Sequence, residues 1–168
     1  IADVQSLKRQ IHAVKGHGAI AVHGHNIKLG RGGIREIEFF VQTQQLIAGG
    51  REPELRGRET VPMLDKLAEK GWSTPEAAGT LAREYRFLRD VEHRIQMVAD
   101  EQTHTLPDTE VELERIAFMA GFGSVDTFSE RLQKSLHTVE KHYAALFEAA
   151  PQLSTGLGNL VFTGDNDD

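Results

Sequence analysis

The segment from Asn26 to Phe40, NIKLGRGGIREIEFF, places glycines and cationic side chains directly before an apolar stretch. Glycine permits positive φ and a close backbone approach to a ligand, and the N-terminus of a following helix offers unpaired N–H groups. Arginine can pair with a phosphate through two hydrogen bonds. The candidate nucleotide- or phosphate-binding residues are therefore Lys28, Gly30, Arg31, Gly32, Gly33 and Arg35. Residues 26–33 are called the glycine loop below.

A purely structural role explains the same glycines, because glycine also serves wherever a loop turns tightly into a helix. The spacing matches neither the GxxxxGK[ST] phosphate loop nor a GxGxxG motif after a clear strand. The spacing of these residues is consistent with both a phosphate site and a tight turn.

Other polar residues form no catalytic or metal-binding pattern, so we predict no catalytic residue and no metal ligand in this chain. On a helix, Glu36 and Glu38 would point about 200° apart, too far to share a metal, and we expect at least one of them to be a solvated acid. His23 and His25 form a His-x-His pair without a third ligand at local spacing. The chain has no cysteine.

The composition is that of a soluble globular protein, with 168 residues, 39% hydrophobic residues and a net charge of −6. An acidic chain is a poor match for a nucleic-acid backbone, and no apolar run approaches the roughly 18 residues that a membrane span needs. We therefore expect a cytoplasmic protein with neither nucleic acid nor membrane as a partner. Because the chain starts at Ile1 and ends in the polar TGDNDD, we also expect a piece of a longer protein.

Hydrophobic periodicity predicts an all-α bundle of about six helices, preceded by a Gly-rich loop. The predicted helices cover about residues 2–15, 34–48, 61–70, 73–101, 110–120 and 124–150. The predicted division is 1–33 for the loop and the edge of a preceding catalytic domain, 34–150 for the bundle, and 151–168 for a linker. Within residues 16–33, a β-like patch at 19–22 suggests an irregular loop with a brief hairpin.

The long fourth helix is the predicted spine of the bundle. Ser73-Thr-Pro-Glu76 has the pattern of a capping box at its start, and at 1.5 Å per residue the helix would be roughly 40 Å long. Its other face mixes charges at helical spacing. The candidate partner-binding residues on that face are Arg83, Arg86, Arg89 and Arg94.

Several segments together resemble the glutamine synthetase adenylyltransferase family, and more narrowly its adenylyl-removing half. They are NIKLGRGGIREIEFFVQ at 26–42, GGREPELRGR at 49–58, YRFLRDVEHRIQ at 85–96, DEQTHTLP at 100–107 and the tail GNLVFTGDNDD. The resemblance covers nearly the whole chain and implies the helical domain that follows the adenylyl-removing nucleotidyltransferase domain.

The resemblance implies an enzyme that removes AMP from a tyrosine of glutamine synthetase by phosphorolysis, yielding ADP. In that family the other half transfers AMP from ATP, paired aspartates hold Mg²⁺ in both halves, and PII signal proteins and glutamine set the balance. The family's G-S-x-x-D-x-D catalytic stretch belongs upstream, and nothing before Asn26 supplies it. The chain alone is therefore expected to be inactive and to hold no cofactor.

Two functions follow from the resemblance. In the first, the chain supports the adenylyl-removing site, and the glycine loop contacts phosphate or AMP. In the second, it is a non-catalytic interaction module whose arginine-bearing helix docks glutamine synthetase, a PII protein or the other half of the enzyme.

Overall fold

A computed structural model describes residues 20–148 of the chain. It contains α1 (Ile34–Ala48), α2 (Thr60–Glu69), α3 (Pro75–Ala99), α4 (Glu110–Met119) and α5 (Val125–Glu148), with a 3₁₀ turn at Pro53–Leu55. The described part of the chain has no β-strand, and the predicted all-α class is confirmed. The first predicted helix and the predicted linker lie outside the described residues. Each helix described between residues 20 and 148 is too short or too polar to span a membrane.

Helix α3 is the spine of the bundle, since it packs against each of the other four helices. Its buried face carries Leu81, Leu88, Val91 and Ile95. The helix begins after Thr74, whose Oγ1 accepts a hydrogen bond from the N–H of Ala77 at 3.1 Å. The capping-box pattern predicts Ser73 as the N-cap, and this prediction is wrong by one residue. The hydroxyl of Ser73 donates to the carbonyl of Thr74 instead.

The core also includes a residue of the glycine loop, which precedes α1. Its burial anchors the loop to the bundle. Ile27 is fully buried together with Phe128 and Leu132 of α5. Phe122, between α4 and α5, makes edge-to-face contacts with Phe87 of α3 and with Phe128. Burial of such side chains stabilises the fold by about 2 kcal/mol each.

The mixed-charge face predicted for α3 is not fully exposed, because acids on that face are covered by neighbouring elements. Glu84 and Glu92 are 8% and 2% exposed. Arg131 of α5 places Nη1 2.9 Å from Oε2 of Glu84, and its guanidinium lies 4.0 Å from the centroid of the Phe87 ring. Glu84 and Glu92 therefore lie where α3 contacts its neighbours, and cations from those neighbours pair with them.

Candidate functional site

The glycine loop is docked on the bundle through the segment that follows α3. The N–H of Ile27 donates to the carbonyl of His104, and the N–H of Leu106 donates to the carbonyl of His25, both at 2.9 Å. Asn26 and Thr105 form the bridge between these two short stretches. In the described residues the loop thus pairs with residues 104–106 rather than forming the expected hairpin of its own.

The backbone donors of the glycine loop are already used within the protein. The N–H of Gly30 donates to Asn26 at 2.7 Å, and that of Gly33 donates to Gly30 at 3.1 Å. The N–H of Gly32 donates to Oε2 of Glu36 at 3.1 Å. Glu36 is only 8% exposed, so it is not the solvated acid expected of the pair Glu36 and Glu38. The loop's amides therefore stabilise the turn in this structure.

Gly32 is required by the packing of the loop against α5. Its φ is +71°, and a Cβ added there would lie closer than 3.0 Å to the carbonyl oxygen of Leu136. A side chain would meet both backbone strain and a backbone clash. For Gly32 the geometry is that of a tight turn with a close backbone approach.

The three candidate cations, Lys28, Arg31 and Arg35, lie against different parts of the bundle. Lys28 places Nζ 3.5 Å from Oε1 of Glu92, and Arg31 pairs with Glu140 of α5. Arg35, in the first turn of α1, places Nη1 2.9 Å from Oε2 of Glu38. Arg35 lines an open cleft that Lys28 and Arg31 do not line.

Glu92 is a buried carboxylate shared by three basic side chains, and sequence reasoning missed it. Besides Lys28, Arg89 places Nη1 3.0 Å from its Oε2, and His104 places Nδ1 2.8 Å from its Oε1. The histidine contact has ion-pair distance without hydrogen-bond geometry. Because an isolated buried charge is costly, Glu92 depends on these partners. Lys28, Arg89, His104 and Glu92 are called the Glu92 cluster below.

The Glu92 cluster links the glycine loop, α3 and the segment after α3. Three of its members, Arg89, Glu92 and His104, stand in the segments YRFLRDVEHRIQ and DEQTHTLP, which carried the family resemblance. The family segments were therefore the sequence signal that pointed to these residues. They could not reveal that Glu92 is buried, because Glu92 stands among other charged residues in the sequence.

A cleft of 560 Å³ opens between α1, the turn before α2, and α3. Arg35, Arg58 and Arg89 line it from these three elements, and Glu38 and Glu59 line it as well. Arg58 is exposed and makes no ion pair or side-chain hydrogen bond within residues 20–148. This arginine cleft, defined by Arg35, Arg58 and Arg89, unites one candidate phosphate residue with one candidate partner residue.

The four arginines proposed for partner binding do not share a surface. Arg89 faces the arginine cleft and Glu92, while Arg94 pairs with Asp90 and donates to the carbonyl of Met119 at 3.4 Å. Arg83 donates to the hydroxyl of Thr80 at 3.0 Å and is exposed, as is Arg86. Only Arg83 and Arg86 are open to a partner on the outer face of α3.

Between residues 20 and 148, no group of three or more acidic and histidine side chains could hold a metal ion.

Comparison with known proteins gives the family. The family model described as GlnD PII-uridylyltransferase matches residues 5–147. The chain belongs to this family. It is 73% identical over 168 residues to a bifunctional glutamine synthetase adenylyltransferase/adenylyl-removing enzyme of Mesorhizobium japonicum. Proteins of the same name from Brucella melitensis and Xanthobacter autotrophicus are 68% and 52% identical over the same length.

These relatives are much longer than the chain. The alignments cover 100% of the chain and 17% of each relative. The resemblance to glutamine synthetase adenylyltransferases that the sequence motifs predicted is confirmed.

Proposed function

We propose that this chain is the helical part of a bifunctional enzyme that adenylylates and deadenylylates glutamine synthetase, and that it supports the phosphorolytic, adenylyl-removing site. The observation that carries the proposal is the docking of the glycine loop. Pairing with residues 104–106, burial of Ile27 and the contact between Lys28 and Glu92 hold the loop on the bundle. A loop fixed in this way can hold a neighbouring catalytic site in one geometry.

Catalysis itself is assigned to residues outside this chain. No G-S-x-x-D-x-D stretch occurs in the sequence, so the chain alone is inactive under this proposal. Mg²⁺ held by paired aspartates, with ATP or ADP, belongs to the longer, cytoplasmic enzyme, where the metal would neutralise charge on the reacting phosphate. The division into 1–33, 34–150 and 151–168 stays a prediction.

Within this proposal the phosphate-facing role of the loop falls to its side chains. Gly30, Gly32 and Gly33 use their N–H groups internally, so they shape the loop. Lys28, Arg31 and Arg35 supply positive charge near it, and Arg35 is placed best because it lines an open cleft.

The test uses the full-length enzyme with Lys28→Ala and Arg35→Ala combined. Deadenylylation of glutamine synthetase should slow by about tenfold or more, because cationic stabilisation of the reacting phosphate is lost. Binding of glutamine synthetase, measured by calorimetry, should stay unchanged. The exposed pair Arg51→Ala and Arg115→Ala is the matched control for total charge. A normal deadenylylation rate in the Lys28 and Arg35 variant would contradict the proposal.

A second function, a non-catalytic interaction module, is favoured by the exposure of Arg83 and Arg86 on α3. Its partner would be glutamine synthetase, a PII signal protein or another domain of the same enzyme. Under this proposal Arg83→Glu with Arg86→Glu weakens partner binding and leaves the thermal stability of the domain intact. Equal affinities of the variant and the parent enzyme for each of these partners would remove this surface from consideration.

A further inference from the structure

We propose that the arginine cleft is a binding site for a phosphate group, held by Arg35, Arg58 and Arg89. This inference deepens the proposed function and rests on it for the source of the phosphate, which is either inorganic phosphate or a nucleotide. It adds Arg58 and Arg89 to Arg35, so the phosphate contact lies on guanidinium groups from three separate elements.

The first argument is the convergence of charge. Arg35 comes from the first turn of α1, Arg58 from the turn before α2, and Arg89 from the middle of α3, yet all line one cleft of 560 Å³. Three guanidinium groups repel one another unless anions lie between them. Glu38 and Glu92 neutralise Arg35 and Arg89, which leaves Arg58 as the guanidinium without an anion in the described residues.

The second argument is the start of α2, which forms part of the same wall. Thr60, Val61 and Pro62 line the cleft, and no side chain caps this helix. Proline has no N–H, so the N–H groups of Thr60 and Val61 and the positive end of the helix supply the backbone attraction for an anion. Arg58 stands two residues before Thr60, so its charge adds to that of the helix end.

The third argument is that the backbone of the turn before Arg58 and the side chain of Arg89 are held in place. Nε2 of Gln45 donates to the carbonyls of Leu55 and Gly57 at 2.6 and 2.8 Å, which fixes the turn that carries Arg58. Glu92, behind the cleft, fixes Arg89. A site prepared in this way loses less side-chain entropy on binding.

The acids of the cleft would distinguish a nucleotide from inorganic phosphate. The carboxylates of Glu38 and Glu59 are able to accept hydrogen bonds, and the half-buried Tyr85 also lines the cleft. A nucleotide would offer hydroxyl or amino donors to the acids and a flat base to the ring, in addition to its phosphates. Inorganic phosphate would use the arginines alone.

The experiment is a titration of the 168-residue chain with inorganic phosphate and, separately, with ADP, followed through backbone amide shifts. We expect saturable shifts at Arg58, Thr60 and Val61, and a further shift at Tyr85 with ADP if the nucleotide is the source. Arg58→Gln should weaken the affinity about tenfold, since charge-assisted hydrogen bonds to phosphate are lost. Arg58 is exposed and unpaired in the described residues, so this variant should fold normally.

Arg51→Gln is the matched control, because it removes the same charge from the same connection between α1 and α2 without lining the cleft. It should change the affinity by less than about twofold. Equal weakening by the two variants would show general charge attraction and overturn the proposal. Absence of saturable shifts with both ligands, or shifts confined to Gly30, Gly32 and Gly33, would also overturn it. None of these results would decide the proposed function, which is tested separately by the deadenylylation rate of the Lys28 and Arg35 variant.

Discussion

Gly32 lies where the glycine loop touches α5. Both its backbone conformation and its packing against α5 exclude a side chain at this position. Gly32→Ala should lower the free energy of unfolding by about 3 kcal/mol, because a positive φ and a backbone clash act together. Urea unfolding measures the change. Gly71 has a φ of +76° and nothing within 4 Å of the added Cβ. Gly71→Ala should therefore lose only about 1 kcal/mol, the conformational part. Equal losses would show that the contact with Leu136 contributes nothing.

Glu92 offers a second prediction at the scale of a residue. Glu92→Gln keeps the shape of the side chain and leaves Lys28, Arg89 and His104 without their shared anion. We expect a loss of about 2 kcal/mol in urea unfolding, less than for a fully buried pair because Lys28 and Arg89 are partly exposed. Glu114→Gln, an exposed acid on α4, is the control and should leave stability unchanged. A Glu92→Gln protein as stable as the parent would show that the cluster is not a stabilising one.

At the scale of the element, helix α5 carries a histidine that should make stability depend on pH. Burial lowers the pKa of His142 below its ordinary value of 6.5, Lys141 lowers it further, and Glu76 opposes the shift. The folded protein thus favours neutral His142. Its contribution to stability is present above the ordinary value and is lost as the pH falls through the lower, folded pKa.

Substituting His142→Gln should therefore reduce the loss of stability between about pH 7 and about pH 5, measured as the difference in unfolding free energy. Other titrating groups are common to both proteins and cancel in the comparison. The same pH dependence in parent and variant would contradict this assignment.

The elements themselves were predictable, since each helix has a regular apolar face and a recognisable start or stop. The predicted third helix, 61–70, differs by one residue from Thr60–Glu69, and the glycines at 49 and 71 end α1 and α2 as expected. The arginine cleft was not predictable, because Arg35, Arg58 and Arg89 meet only through tertiary packing. The burial of Glu84 and Glu92 was missed for a related reason. Periodicity finds apolar faces and cannot see an acid neutralised by a distant cation.

The whole molecule should unfold as one unit, since α3 contacts every other described helix. Leu88, at the centre of α3, is fully buried. Leu88→Ala should lower stability by about 3 kcal/mol while Trp72 fluorescence and helical circular dichroism still report a single shared transition. Met97, on the same helix, is 67% exposed, and Met97→Ala should change stability by no more than about 0.5 kcal/mol. Two separate transitions in the Leu88→Ala protein would show that the bundle is not cooperative.

The partners of the glycine loop come late in the chain, at His104, Leu136 and Glu140. During synthesis, the loop leaves the ribosome long before the residues that receive it. The loop therefore stays undocked until these residues have been made. Its docking brings together residues separated by most of the described sequence, so this folding step has a high contact order and is slow. A nascent chain paused before α5 would already carry Arg35, Arg58 and Arg89, but it would lack Leu136 and Glu140. The glycine loop therefore gains its contacts with α5 only after that helix has been made.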